Sequence, residues 1–129
     1  MYTRKRIKNA HLRVLYARVY VVDSEGNMRE ATLERKLKKR IENEGGLCLK
    51  WVSPGYTGVP DRIVLMKGGV IAFVETKRPG QRERQRQAFV QARLRKMGFP
   101  VFGSVDSWQK ADDVLCWCAA KMSGVDHEV

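Results

Sequence analysis

The sequence predicts an α/β domain in which a mixed β-sheet is flanked by helices, in the order helix, three strands, helix, strand, helix. Three observations lead there. Leu33, Leu37 and Ile41 recur at four-residue steps among charged residues, the pattern of an amphipathic helix over about 29–44. Two runs rich in Val, Ile and Phe, 61–66 and 70–77, are separated only by Lys67-Gly68-Gly69, which reads as a hairpin. A second helical stretch, about 82–97, then leads to a further short apolar run, 99–105.

The remaining elements follow in order. Residues 1–22 alternate basic and apolar side chains and end in Val19-Tyr20-Val21-Val22, with a turn signal at 23–27. We treat 1–28 as a basic N-terminal extension, either a strand and turn or an arm. Gly45-Gly46 ends the first helix as a C-cap would, and 47–52 is a short strand. Residues 53–60, Ser-Pro-Gly-Tyr-Thr-Gly-Val-Pro, form a loop. Pro79-Gly80 breaks the chain before the second helix, which Gly98 caps. Ser107 is an N-cap for a last helix running to about Met122. The domain is thus 29–122, followed by a tail at 123–129.

A chain of 129 residues suits one domain, and an apolar fraction of 43% supports a core. Lys and Arg number 25 against 14 Asp and Glu, a net charge of +11. The excess is concentrated. Residues 1–20 carry Arg4, Lys5, Arg6, Lys8, Arg13 and Arg18 with no acid, and 77–96 carry eight basic residues against Glu83 alone. Such segments point to a polyanionic partner. No apolar run approaches the roughly 18 residues that span a bilayer, and no apolar segment follows the basic N-terminus as in a secretory signal. The expected location is the cytoplasm, without a membrane partner. Cys48, Cys116 and Cys118 have neither the spacing nor the histidines of a zinc site and read as thiols in a reducing compartment.

Chemistry concentrates on Asp61, Glu75 and Lys77. Phosphodiester cleavage with a metal needs hard oxygen ligands at one point and a route to an activated water. Glu75 and Lys77 are two apart on a strand and share a face. A lysine is a poor member of a pure metal cage, but it can orient a water or steady negative charge. The hairpin register decides whether Asp61 joins them. A two-residue turn would pair Lys67 with Val70 and put Asp61 and Glu75 on opposite faces. A three-residue loop, Lys67-Gly68-Gly69, pairs Met66 with Val70 and sets Asp61 opposite Glu75, and glycine suits its left-handed position. We expect the second register.

The string 50–62, Lys-Trp-Val-Ser-Pro-Gly-Tyr-Thr-Gly-Val-Pro-Asp-Arg, followed by Phe73-Val74-Glu75-Thr76-Lys77, resembles the PD-(D/E)XK nucleases. More narrowly it is similar to the small stand-alone form of the virus-type replication-repair nuclease (VRR-NUC) family, over about 29–115. The resemblance implies that Asp61, Glu75 and the Thr76 backbone carbonyl bind Mg²⁺ or Mn²⁺, and that Lys77 is the catalytic lysine. It implies a helix glutamate that reaches the metal through water. Glu34 matches it and shares the stripe of Leu37 and Ile41, with Glu30 one turn earlier as the alternative. It also implies a catalytic glutamine, matched by Gln87. Periodicity agrees: Gln87, Val90, Leu94 and Met97 share one face, and Gln85 lies roughly 200° round the helix. Lys50, Arg62, Arg78, Arg82, Arg84 and Arg86 are expected at DNA phosphates, the last four around a helix N-terminus that favours anions.

The function expected is a metal-dependent DNA endonuclease acting on structured DNA, such as four-way (Holliday) junctions, as a homodimer. The resemblance carries the junction, the dimer and a phage setting. Val19, Val21, Val22, Trp108, Val114, Leu115 and Trp117 are apolar residues that either form that dimer's surface or complete the monomer core. The alternatives are a non-catalytic nucleic-acid-binding module of the same fold and a nuclease of ordinary duplex.

Overall fold

The structure, a computed structural model, describes residues 30–127, with side chains described for 32–124. Helix α1 (Glu30–Asn43) is followed by β1 (Leu47–Lys50), β2 (Arg62–Met66) and β3 (Val70–Thr76). Helix α2 (Gln85–Lys96), β4 (Val101–Val105) and α3 (Trp108–His127) complete the order expected. The expectations for 1–28, including Val19, Val21 and Val22, lie outside the described residues, as does the Glu30 side chain.

The four strands form one sheet in the order β1-β2-β3-β4. The first three are antiparallel, and β4 runs parallel to β3, with α2 as the crossover that such a pair requires. Met66 pairs with Val70, so the hairpin has the three-residue loop. Gly68 and Gly69 stand at φ of 81° and 75°, a region that side-chain-bearing residues avoid. Gly45 and Gly46 close α1 by donating to the carbonyls of Glu42 and Ile41 at 2.9 and 3.0 Å. At α3 the Lys110 N–H donates to Ser107 Oγ at 3.2 Å, the N-cap bond expected, but the helix runs on to His127 rather than ending near Met122.

The alternation of β3 divides the core. Ala72 and Val74 face α1 and α3, where Leu33, Leu37, Ile41, Val64, Val105, Val114 and Leu115 are fully or almost fully buried. Phe73 faces the other way with Val90 and Leu94 of α2, joined by Trp51, Val59, Ile63, Ile71 and Val101. Trp108, Val114 and Leu115 are buried and Trp117 packs edge-on to Phe102, so these residues complete the monomer core rather than offer a dimer surface. Exposed apolar side chains lie elsewhere, among them Leu47 and Leu49 on edge strand β1 and Phe89 and Met97 at α2.

Between β3 and β4 the register slips. Val74 pairs with Phe102 but Thr76 with Val105, so two residues of β3 oppose three of β4. Ser104 takes up the extra length at φ 51°. Just before it, Gly103 lies against buried Gln91, whose Nε2 donates to Glu83 Oε1 at 2.9 Å. A Cβ at Gly103 would come within 2.2 Å of Gln91 Oε1 and 2.7 Å of Glu83 Oε1. Because Gln91 is only 1% exposed, it has nowhere to swing. Gly103→Ala should therefore push α2 off the sheet and cost about 1–3 kcal/mol, read as a melting point several degrees lower. An unchanged melting point would mean that Gln91 does not hold α2 against Gly103.

Candidate active site

Glu75 and Lys77 continue the face of β3 that Ile71 and Phe73 begin, so they point toward the start of α2. Asp61, immediately before β2, meets them there. Its backbone N–H donates to Glu75 Oε2 at 3.0 Å, and the register that pairs Met66 with Val70 brings the two residues opposite each other. The Thr76 hydroxyl donates to Asp61 Oδ2 at 3.2 Å. Lys77 Nζ lies 3.2 Å from Glu75 Oε1 and 2.9 Å from Gln87 Oε1, and Gln87 Nε2 donates to Glu75 Oε1 at 2.9 Å.

Gln87 is the hub of this cluster, and its orientation follows from its partners. A carboxylate only accepts and an ammonium only donates, so the amide must turn its N toward Glu75 and its O toward Lys77. The same oxygen accepts from the Arg84 N–H at 3.1 Å, at the helix N-cap. This is the half of a capping box in which the third helical residue reaches back. One side chain thus ends the helix and braces two ionisable groups. Gln85 is exposed and reaches none of them.

Glu75 and Thr76 are buried to 1% and 0% exposure, and Lys77 to 8%. Burial, with Asp61 adding like charge, pushes the Glu75 carboxyl up to about 7. Burial also raises Asp61, opposed by its bonds from Thr76. Two carboxylates held together against their own repulsion form a natural seat for a cation. Among the described residues no group of three or more His, Cys, Asp or Glu converges on one point. A pair of carboxylates suits a hard cation that keeps several of its waters, and does not suit a closed zinc site.

Glu34 reaches the neighbourhood from the opposite face of the sheet. Its Oε1 pairs with Arg62 Nε at 3.1 Å, and its charge contributes to the rise at Asp61. Arg62 is thereby engaged within the protein, while Lys50, its partner in the β1–β2 register, is exposed. Arg78, Arg82 and Arg84 lie exposed on the loop leading into α2, and Arg86 turns to the 53–58 loop.

No family model matches the chain. A solved structure described as "VRR_NUC domain" superposes with a TM-score of 0.62 and 33% identity, covering 67% of this chain and 92% of that one. A protein described as "Putative nuclease p44", from Acyrthosiphon pisum secondary endosymbiont phage 1, is 42% identical over 74 residues, 57% of this chain and 80% of the phage protein. The chain belongs to the VRR-NUC family.

Within this VRR-NUC fold, five residues singled out from the sequence, Asp61, Glu75, Thr76, Lys77 and Gln87, form one bonded cluster. Glu34 stands beside it rather than in it. Sequence reasoning missed Gln91 and Glu83, which hold α2 over Gly103, although Gln91 lies four residues after Gln87 on the same helix face. Met97, expected on the inward stripe, is 60% exposed because the helix ends at Lys96 and Met97 is its C-cap. All three cysteines are free and buried; burial pushes the Cys48 and Cys118 thiols up to about 11 and about 12, against any nucleophilic role. Among the described residues no helix is long and apolar enough to cross a membrane.

Proposed function

We propose that this protein is a metal-dependent endonuclease that hydrolyses phosphodiester bonds of DNA. The observation that carries the reading is the buried Glu75 beside half-buried Asp61, with the Lys77 ammonium 3.2 Å from Glu75, in a member of the VRR-NUC family. Asp61, Glu75 and the Thr76 carbonyl would hold Mg²⁺ or Mn²⁺, and Glu34 would reach it through water. When bound, such an ion supplies Lewis acidity and lowers the pKa of a coordinated water.

The chain's own residues do the rest. Lys77 presents a fixed positive charge to the developing negative charge of the scissile phosphate. Gln87 holds Lys77 and Glu75 in register, so that neither needs to reorganise during reaction. Lys50, Arg78, Arg82 and Arg84 supply phosphate contacts around the site, and Arg62 acts through its pair with Glu34. The name of the phage relative, a nuclease, agrees with this assignment.

We assign the substrate as structured DNA, four-way junctions above all, cut by a homodimer in the cytoplasm of a bacterium or of a phage's host. Two symmetric nicks need two sites related by a twofold axis. Leu47 and Leu49, 51% and 44% exposed on an edge strand, are suited to a twofold contact. The deciding experiment offers labelled four-way, flap, single-stranded and linear duplex DNA with Mg²⁺, with Mn²⁺ and with chelator. Cleavage of none of them with either metal would overturn the reading. Sedimentation should give twice the chain mass, and a monomer that stays monomeric on junction DNA would remove the junction assignment.

Gln87→Ala should slow turnover at least about tenfold, whereas Gln85→Ala should leave it unchanged. Equal rates for the two variants would mean that the Gln87 bridge has no part in the reaction.

A further inference from the structure

On the outward side of α2 a second group of residues takes no part in the cluster above. Arg86 lies between two aromatic rings, its guanidinium carbon 4.7 Å from the Tyr56 ring centre and 5.2 Å from that of Phe89. Its Nε donates to the Thr57 carbonyl at 3.0 Å, which pins the 53–58 loop to the helix. That loop approaches closely: a Cβ at Gly58 would meet the Arg86 carbonyl oxygen at 2.9 Å. Pinning the loop accounts for Arg86 and one face of Tyr56. It does not account for Phe89, which is 52% exposed, nor for the outer face of Tyr56, 39% exposed.

The stripe extends along the helix. Phe89, Ala92, Arg93, Lys96 and Met97 line an open groove of about 610 Å³. Its charge is of one sign, because Glu83, the acid nearest in sequence, is turned inward to Gln91. Aromatic faces interleaved with guanidinium and ammonium groups suit a ligand that is flat, stackable and anionic at regular intervals. Paired bases within a duplex hide their faces, while unpaired bases display them.

We propose that the outward stripe of α2 and the 53–58 loop form a stacking platform for unpaired bases of DNA, with Phe89 and Tyr56 as the stacking rings, Arg86 holding them together, and Arg93 and Lys96 at the phosphates. The proposal rests on the reading of the protein as DNA-directed and specifies the DNA: a substrate with splayed or single-stranded nucleotides beside the cut. Position supports it. Arg86 adjoins Gln87 on α2, and the loop carrying Tyr56 runs directly into Asp61, so the platform and the candidate active site are built from the same two segments.

The test measures binding in chelator, where no cleavage intervenes. Single-stranded DNA and a bulged duplex carrying 2-aminopurine, and a fully paired duplex, are titrated with the wild type, Phe89→Ala, Phe89→Trp and Tyr56→Ala. Stacking should quench 2-aminopurine in the unpaired substrates. Phe89→Ala should weaken binding to them about five- to a hundredfold, with a much smaller effect on paired duplex, and Phe89→Trp should restore it. Melting curves should be unchanged, since an exposed ring is removed. Unchanged affinity of Phe89→Ala for unpaired DNA would overturn the proposal, as would equal losses on paired and unpaired DNA. A variant that instead loses its dimer in sedimentation would make this face a subunit interface and overturn it too. Cleavage in Mg²⁺ is read separately: Phe89-dependent quenching by a protein that cuts nothing upholds the platform while sinking the nuclease reading.

Discussion

Glu75→Ala and Lys77→Ala are each expected to lower cleavage by at least a hundred- to a thousandfold while changing DNA affinity little. The two losses have different causes. Glu75→Ala removes one of the two carboxylates proposed to hold the metal. It also leaves the Asp61 N–H and Gln87 Nε2 without the acceptor that now fixes them. Lys77→Ala leaves both carboxylates in place but takes away the charge facing the phosphate. Affinity should survive in both, because it comes from exposed basic residues in contact with phosphates. The pair of variants therefore separates binding from chemistry. Gel-shift titrations in chelator alongside single-turnover cleavage in Mg²⁺ would check it. Full cleavage by either variant would remove the Asp61–Glu75–Lys77 cluster as the site of reaction.

Much of this site could be read from the sequence because it depends on periodicities that local chemistry enforces. The two-residue repeat of a strand puts Glu75 and Lys77 on one face, and the three-residue loop at Lys67-Gly68-Gly69 brings Asp61 to Glu75. Helical phase alone separates Gln87 from Gln85. What escaped depends on contacts between distant segments. Nothing local says that Glu34 spends its charge on Arg62, twenty-eight residues away, rather than standing open toward the cluster. Nothing local says that Gln91 is buried, since a glutamine on a helix is usually solvated. It becomes legible only once Gly103 is known to lie against it across the crossover. Trp108, Val114 and Leu115 were equally open to two readings, because an apolar helix face looks the same whether it meets its own sheet or a second subunit. The sheet of this chain is wide enough to take them.

Metal affinity should rise with pH and level off just above neutrality. Glu75 holds its proton up to about pH 7 because it is buried and beside Asp61. A cation can use it as a ligand only after displacing that proton. One proton competing with one metal lowers affinity by about tenfold for each pH unit below 7, so binding at pH 5.5 should be some twenty- to fortyfold weaker than at pH 8. The same shift acts on stability in the opposite sense. The folded-state pKa lies above the ordinary value of 4.5, so between 4.5 and 7 the folded state binds more protons than the unfolded one. The metal-free protein therefore loses stability from this group as pH rises through that window, by on the order of 3 kcal/mol at most. Binding of a cation should return that loss, so the rise in melting temperature on adding Mn²⁺ should be several degrees larger at pH 8 than at pH 5.5. Asp61→Asn supplies the control. Removing its charge lowers the Glu75 pKa while also weakening the site, so the residual affinity should level off at a lower pH. Calorimetric titration with Mn²⁺ across this range, in buffers of different ionisation enthalpy, counts the proton released. An affinity that does not change between pH 5.5 and 8, with no proton released, would mean that Glu75 is not a ligand of the metal.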